Sequence, residues 1–331
     1  MKISNVIGID VSKLTIDVVI HGNQKHGQFE NSGKGFREMC KWALKNSLSP
    51  KGETMYVFEH TGLYSYQLAI YLDGQSLPFN IVPGLEIKRS LGISRGKDDK
   101  VDASKIARYG YRLRDEMEPY ELPSEDLEKL KRLLSLRNRL VKQNAGYKAS
   151  LNEWKRVLAQ NGDKVLFGVQ EKMIKYLGKQ INAVEKEMGT IVKRNDKLKK
   201  QYDLITSIKS VGPQTALFMI VYTAGFTKFK AWRKFASYCG TAPFPHSSGT
   251  SIIGKDKVSH LANKKIKSLL DQCAKIALLY NTEMKLYYNR RIEEGKNKKS
   301  TRNIIRNKLL ARIFAVVQSG KPYVETMKFA A

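Results

Sequence analysis

Four acidic side chains occupy positions from which they could bind a divalent metal. Asp10 ends the apolar run IGID, and Glu59 ends the apolar run MYVFE. Asp99 and Asp102 stand at the start of a predicted helix, where a spacing of three residues places both on one face. Carboxylates converging from two strand ends and a helix would repel one another, and a hard cation such as Mg²⁺ removes that repulsion. The pattern predicts two such ions, about 3.5–4 Å apart, acting on a phosphodiester.

Each of these acids, taken alone, also fits a structural role. Asp98 and Asp99 would stabilise the start of a helix as a cap and as a negative charge in its first turn. The four acids taken together favour the metal site, because they lie within a predicted strand–strand–helix–strand order.

The other metal-binding side chains show no comparable pattern. Cys40, Cys239 and Cys273 are odd in number and far apart, so they predict neither a disulfide framework nor a zinc site. None of the five histidines has metal-ligand spacing; they are His21, His26, His60, His246 and His260. Of these, His60 and His260 could touch DNA, although a surface or packing role is the simpler interpretation.

A serine-rich segment at 242–260, APFPHSSGTSIIGKDKVSH, is predicted to be a flexible loop that carries hydroxyl groups. A hydroxyl on such a loop could attack phosphorus if a metal or a base activated it, and a plain loop is the simpler alternative. Gly249 to Lys255 also fits a phosphate-binding loop, but Asp256 stands where that loop needs Ser or Thr. Nucleotide hydrolysis is therefore excluded.

A glycine turn between two predicted helices lies in SIKSVGPQTALFMI, residues 207–220. Such a turn lets backbone N–H groups at the start of the second helix bind a phosphate without reading bases, as in helix–hairpin–helix modules. The residues predicted to contact nucleic acid here are Lys209, Gly212, Gln214 and Thr215. A simple helical turn is the alternative.

The charge of the whole chain predicts a polyanionic partner. With 59 Lys and Arg against 31 Asp and Glu, the 331 residues carry a net charge of +28. No window approaches 18 uncharged apolar residues, and the N-terminus has no signal-peptide pattern, so a cytoplasmic, nucleoid-associated protein is expected. The stretch 295–308 has no acid, and its predicted nucleic-acid contacts are Lys296, Lys298, Lys299, Arg302 and Arg306.

The hydrophobic pattern divides the chain into three predicted parts. Residues 1–118 alternate strands (5–10, 16–20, 55–59, 79–82) with helices (34–46, 64–73), which predicts an α/β or α+β domain with a mixed sheet. Residues 119–199 carry apolar side chains at three and four spacing on either side of Asn161-Gly162-Asp163, which predicts a helical coiled-coil hairpin that acts as spacer and oligomerisation contact. Residues 200–331 are predicted to be mainly helical and basic.

In order along the chain, these motifs resemble those of the DEDD transposases of insertion-sequence family one-ten, whose recombinases are guided by a structured bridge RNA. The resemblance is carried by IGIDVSK, by E-x-T-G at 59–62, by D-x-V-D-A at 99–103, by IKSVGPQTA and by FASYCGTAPFPHSSGTS. It covers essentially the whole chain.

The resemblance implies a RuvC-like RNase H fold for 1–118, with Asp10, Glu59, Asp99 and Asp102 as ligands of Mg²⁺, for which Mn²⁺ could substitute. It implies a C-terminal transposase domain in which Ser248, directly before Gly249, becomes covalently joined to DNA, with Ser247 and Ser251 as alternatives. The partners implied are element and target DNA, a noncoding guide RNA and further copies of the chain, as a dimer or tetramer. The roles of His60 and Lys97 beside the reacting phosphate stay open.

Two other functions remain compatible with the residues. A structure-specific junction endonuclease would use water as the nucleophile, and Ser248 would then be an ordinary loop residue. A non-catalytic nucleic-acid-binding protein would use the same scaffold without cleavage.

Overall fold

The computed structural model describes residues 2–47, 50–90, 98–158, 163–248 and 252–325. The chain forms two compact units, Met1–Leu122 and Pro123–Ala331. The predicted boundary after residue 118 falls close to the division between them, and the one after 199 falls inside the second unit. The assignment of separate roles to three parts stays a prediction.

A five-stranded mixed sheet forms the centre of the first unit, which confirms the predicted α/β class. The strands are β1 Asn5–Val11, β2 Thr15–Ile20, β3 His26–Glu30, β4 Thr54–Glu59 and β5 Phe79–Val82. Their order is β3-β2-β1-β4-β5, with β1 antiparallel to β2 and parallel to β4. The strand β3 was not predicted.

Helices cover both faces of this sheet. They are α1 Gly33–Asn46, α2 Leu63–Gly74, α3 Gly84–Ser90 and α4 Asp99–Arg112, and a single 3₁₀ turn covers Lys51–Glu53. Helices α1 and α2 pack on the face that carries Ile7 and Ile9, and α4 packs on the opposite face. Gly8 permits that contact, because an added Cβ would overlap the backbone of α4 at Ala103 and Ala107.

The second unit begins with two long helices, α5 Glu125–Leu158 and α6 Lys164–Arg194. Lys129 binds Glu187 at 2.6 Å towards one end of the pair, and Lys155 binds Glu171 at 2.7 Å towards the other. Contacts in this order run oppositely along the two helices, so α5 and α6 form the antiparallel helical hairpin that the sequence predicts.

The remaining elements of the second unit are mainly helical, as predicted. They are α7 Asp196–Thr206, α8 Pro213–Tyr222, α9 Trp232–Cys239, β6 Pro243–Ser248, β7 Ile252–Val258, α10 Lys264–Tyr280, α11 Thr282–Glu293 and α12 Lys298–Ser319. The prediction of a flexible loop at 242–260 was wrong for the described residues, because β6 and β7 pair as an antiparallel hairpin. None of the helices that the structure describes is both long and apolar enough to cross a membrane.

Candidate active site

A row of polar side chains crosses the face of the sheet that α4 covers. Asp10 on β1 pairs with Asp17 on β2, and Asp17 pairs in turn with Gln28 on β3. On the other side of β1, the parallel register Ile9↔Phe58 puts Asp10 beside Glu59 at the end of β4. Because paired residues point to the same face of a sheet, three carboxylates stand on neighbouring strands of one face. We call these residues, Asp10, Asp17 and Glu59, the acid row.

Helix α4 brings two more carboxylates to this face. Asp98 is the residue at its N-cap, and Asp99 and Asp102 lie in its first turn. The helix is seated on β1 and β2 through Ala103 and Ala107, which pack against Val19. Lys105 binds Asp102 at 2.7 Å, so Asp102 already has one positive partner. The close packing at Gly8 therefore determines where the acids of α4 stand relative to Asp10.

Burial and the neighbouring acids both affect the pKa of Asp10. Burial, followed by the carboxylates of Asp102, Asp99 and Glu59, raises the pKa of Asp10 to about 6. No group in the described part of the chain hydrogen-bonds its carboxylate. An aspartate in this position gains from a bound cation, and carboxylate oxygens are the ligands that Mg²⁺ prefers. These residue types suit a divalent metal, but within the described ranges no group of three or more His, Cys, Asp or Glu side chains is arranged to hold one.

Glu59 is held by the segment that follows β5. Its carboxylate lies against Gly84, the first residue of α3, where an added Cβ would overlap Glu59 Oε1. The next residue, His60, donates its backbone N–H to Val82 O at 3.1 Å, and its ring Nδ1 accepts from Gly62 N at 3.4 Å. His60 thus orders the turn behind Glu59, which is a local structural role.

Asp17 is a member of the row that the sequence analysis missed. It is only 4% exposed, and it is bonded by His26 Nε2 at 2.8 Å and by Gln28 Nε2 at 3.1 Å. The signal that could have found it is a charged residue, Asp17, within the apolar strand β2. His26, which the sequence left without a role, is its partner.

The serine segment belongs to the second unit. Ser247 pairs with Ile253 and Ser248 with Ile252 at the end of the β6–β7 hairpin. The base of the hairpin is tied to α12, since Asn303 and Asn307 both donate to Thr241 O, at 2.8 and 3.0 Å. The side chain of Ser248 and all of Gly249, Thr250, Ser251 and Lys97 lie outside the described residues.

The glycine turn lies between α7 and α8, as predicted, but its residues differ in accessibility. Lys209 is exposed and lies 3.7 Å from Glu325, while Gly212 is exposed at the N-cap of α8. Gln214 reaches Glu185 at 3.5 Å. Thr215 is 4% exposed and its hydroxyl contacts Cys273 Sγ at 3.3 Å, so that hydroxyl is directed into the core, and the predicted contact of Thr215 with nucleic acid stays a prediction.

The basic stretch before and within α12 separates into two groups. Lys296, Lys298 and Lys299 are exposed around the start of the helix. Arg302 and Arg306, in contrast, both bind Asp271 of α10, each through Nε at 3.2 Å. Burial alone would raise the pKa of Asp271, but its bonds to Arg306 hold that pKa below its usual value. The two arginines connect helices, and their predicted contact with nucleic acid stays a prediction.

Comparisons with known proteins agree with this arrangement. A family model of DEDD transposases of the IS110 type, described as "Transposase", matches residues 7–161. A second model, described as "Transposase IS116/IS110/IS902 family", matches residues 202–289. The first match contains the acid row, and the second contains the glycine turn and the β6–β7 hairpin.

Individual relatives extend the likeness to nearly the whole chain. The pilin gene-inverting proteins of Moraxella bovis and Moraxella lacunata are each 28% identical to it over 329 residues, covering 96% of this chain and 97% of theirs. The insertion element IS110 uncharacterized 43.6 kDa protein of Streptomyces coelicolor is 25% identical over 163 residues, covering 48% of this chain and 40% of that one.

Proposed function

The chain belongs to the IS110 family of transposases, and we propose that it cuts and exchanges DNA strands through a covalent serine–DNA intermediate. Asp10, Glu59, Asp99 and Asp102 are the proposed ligands of Mg²⁺, and Ser248 is the proposed nucleophile. The observation that carries the acid assignment is the strand register that puts Asp10 beside Glu59, and the raised pKa of Asp10, to which Glu59, Asp99 and Asp102 contribute, supports it.

The chain's own groups have separate tasks in this reaction. Bound by the four carboxylates, Mg²⁺ would stabilise the negative charge that builds on the scissile phosphate. Asp10 and Glu59, fixed on neighbouring strands, supply rigid oxygen donors, and α4 supplies the other two. Gly84 leaves room for the carboxylate of Glu59, and His26 hydrogen-bonds Asp17 beside Asp10.

The covalent step conserves the number of phosphodiester bonds. The Ser248 oxygen forms a bond to phosphorus as it loses its proton to solvent, and the bond from phosphorus to the 3′ oxygen breaks. The departing 3′ oxygen takes up a proton, so a 5′-phosphoserine and a free 3′ hydroxyl result. Attack by a different 3′ hydroxyl reverses these changes and joins the exchanged strands without nucleotide hydrolysis.

Charge and exposure support a nucleic-acid interface outside the acid row. We assign backbone contacts to Lys209, Gly212 and Gln214 at the glycine turn, and to Lys296, Lys298 and Lys299 before and at the start of α12. A chain with a net charge of +28 is suited to holding phosphates while a structured guide RNA selects the target by base pairing. The reaction joins several DNA ends, so we propose a homo-oligomer that works on the nucleoid.

The test is a search for a protein–DNA adduct that resists SDS. Wild type and Ser248→Ala are incubated with DNA flanking the element, Mg²⁺ and RNA transcribed from that DNA, and Ser247→Ala is the matched control. We expect an adduct in wild type and in Ser247→Ala, and none in Ser248→Ala. An adduct that Ser248→Ala retains and Ser247→Ala loses would move the nucleophile to Ser247.

Other products would replace the proposal. Nicked DNA without an adduct would identify the junction endonuclease, with water as the nucleophile. Binding without cleavage, by a chain saturated with Mg²⁺ and RNA, would identify a nucleic-acid-binding protein.

Because two relatives are named for inverting a pilin gene, inversion of a DNA segment between two sites is a second candidate outcome. A substrate with paired, oppositely oriented sites would reveal it.

A further inference from the structure

Three planar side chains form a stack at the end of the sheet away from the acids. The rings of His21 and Tyr111 lie 3.9 Å apart at an angle of 11°. The guanidinium of Arg114 lies 4.1 Å from the centre of the Tyr111 ring and donates to Tyr111 O at 2.7 Å. Two planar groups at these distances cannot share one face of a ring, so Tyr111 lies between His21 and Arg114.

The stack borders an open cavity of about 330 Å³. His21 and Tyr111 form part of its wall, together with Ser4, Asn5, Gly22 and Asn23. The side-chain amides of Asn5 and Asn23 are engaged by neighbours at Ser47, Asn46 and Lys25, so they shape the wall. The volume lies at the lower end of the range for small-ligand sites, which suits one planar ring system.

The polar edges of the stack are free to meet a ligand. Within the described residues, neither ring nitrogen of His21 nor the hydroxyl of Tyr111 has a hydrogen-bond partner. Burial, followed by the charges of Arg114 and Arg108, lowers the pKa of His21 and so favours its neutral ring. A neutral imidazole stacks on an uncharged ring and can donate or accept one hydrogen bond at its edge.

Basic side chains lead from the acid row to this stack along α4. Lys105, Arg108 and Arg112 recur every three or four residues, which places them on one face of the helix. The helix rises about 18 Å between Asp99 and Tyr111. A nucleic-acid strand near the acids could therefore follow α4 with its phosphates beside these cations.

We propose that the His21–Tyr111–Arg114 stack and its cavity bind an unpaired base of a single-stranded nucleic acid. Unpaired bases stack on aromatic rings and on arginine planes, and they offer polar edges for hydrogen bonding. A base inside a duplex presents no free face and is not a ligand for this site. The inference rests on nucleic-acid binding within the proposed function, and it does not depend on cleavage or on Ser248.

The test measures affinity for labelled oligonucleotides of about 12 nucleotides, the upper part of the site sizes seen for single-strand binders. The full chain is titrated in EDTA against single-stranded RNA, single-stranded DNA and duplex DNA. The variants are His21→Leu and Tyr111→Leu, which remove a ring, and His21→Phe and Tyr111→Phe, which keep one. Tyr176→Leu, an exposed ring on α6, is the matched control, and thermal melting checks that each variant folds.

We expect each leucine variant to lose about 5- to 100-fold in affinity for a single strand and the control to stay within about twofold. Each phenylalanine variant should lose less than the matching leucine variant, because it keeps the ring and removes only a polar edge. The strand type that shows the loss, RNA or DNA, identifies the source of the base. Equal losses in the leucine and phenylalanine variants, an equal loss for duplex DNA, or no loss in folded leucine variants would overturn the proposal. The adduct assay separates the two proposals, since wild type that forms no adduct refutes the recombinase mechanism alone.

Discussion

Asp10 and Asp17 are cross-strand neighbours with opposite surroundings. Asp17 is bonded by His26 and Gln28, whereas Asp10 has no such donor in the described part of the chain and faces other carboxylates. One aspartate therefore stabilises the fold, and the other is held at a cost that a bound cation would remove. This difference separates a structural acid from a ligand more clearly than position along the chain does.

Replacing each of the two aspartates with asparagine is expected to have opposite effects on the free energy of unfolding. Without metal, the pKa of Asp10 lies above that of an unfolded aspartate, so its ionisation opposes folding and stability falls as the pH rises from about 4 to 6. Asp10→Asn should raise the free energy of unfolding at pH 7 by about 1–2 kcal/mol, after allowance for partial exposure. Asp17→Asn should lower it by about 1–3 kcal/mol.

Hydrogen exchange of β1 and β4 peptides, in EDTA and in Mg²⁺, measures both effects within the first unit. Mg²⁺ should increase protection in wild type and leave Asp10→Asn unchanged. A destabilised Asp10→Asn variant, or one that still responds to Mg²⁺ as wild type does, would contradict the assignment of Asp10 as a ligand.

Gly84 makes a second prediction at the level of single residues. In Gly84→Ala the new Cβ would overlap the carboxylate of Glu59, which must then leave its position. Displacing a ligand's support typically weakens metal binding by about 10- to 100-fold. Calorimetric titration with Mg²⁺ checks this, and Gly74→Ala is the control because a Cβ there meets open space. Equal Mg²⁺ affinity in the two variants would place Glu59 outside the site.

Sequence reasoning located residues that end apolar runs and missed those whose role depends on pairing. Asp10 and Glu59 were evident because each follows buried strand residues. Asp17 and Gly84 act only through the register of β1 with β2 and through the return of the chain after β5. Neither contact has a signature in local spacing.

At the level of elements, the longest periodic segments were predicted well and the polar strands were not. The helices 125–158 and 164–194 match their apolar spacing closely. The strand β3, HGQFE, lies at the edge of the sheet, and β6 and β7 are rich in Pro, Ser and Lys, so their composition resembles that of loops. Their pairing comes from backbone hydrogen bonds and from ties such as Asn303 to Thr241, which composition does not report.

The α5–α6 hairpin carries apolar side chains that its own packing leaves exposed. Val157 is 67% exposed on α5, and Val165 and Val169 are 73% and 54% exposed on α6. These residues cluster near the connection between the two helices, where Trp154 is also exposed. Such a patch is typical of a surface that meets another protein, and we expect it to contact a second copy of the chain.

The double variant Val165→Ser/Val169→Ser should therefore shift the chain towards the monomer. Light scattering coupled to size exclusion measures this over a dilution series, and Lys172→Ser/Lys175→Ser on the same helix is the control. At about 1.5 kcal/mol for each buried valine, the loss of two valines in each of two copies corresponds to roughly 6 kcal/mol per dimer at most, or about 10⁴-fold in dissociation constant. An unchanged dissociation constant would assign the hairpin to a spacer role alone.

At the level of the whole molecule, the positive side chains that give the net charge of +28 have different roles. Arg302 and Arg306 share Asp271 and hold α12 on α10, so we expect them to contribute little to binding a polyanion. Lys298 and Lys299 stand in the first turn of α12, and Lys296 just precedes it. A helix start disfavours positive charge by about 0.3–1 kcal/mol per residue, so lysines there make sense where an anion compensates them.

This contrast predicts which cations control the salt dependence of DNA binding. Each phosphate contact on duplex DNA contributes about −0.9 to the slope of log affinity against log salt, so Lys296→Gln/Lys298→Gln/Lys299→Gln should make the slope shallower by up to about 2.7. The equal change of charge in Lys172→Gln/Lys175→Gln/Lys179→Gln on α6 should alter it much less. Arg302→Gln should leave the slope unchanged and lower the stability of the second unit instead, because it removes a partner of Asp271. If all variants made the slope shallower by the same amount, the chain would bind DNA through its net charge alone, without a defined basic surface at α12.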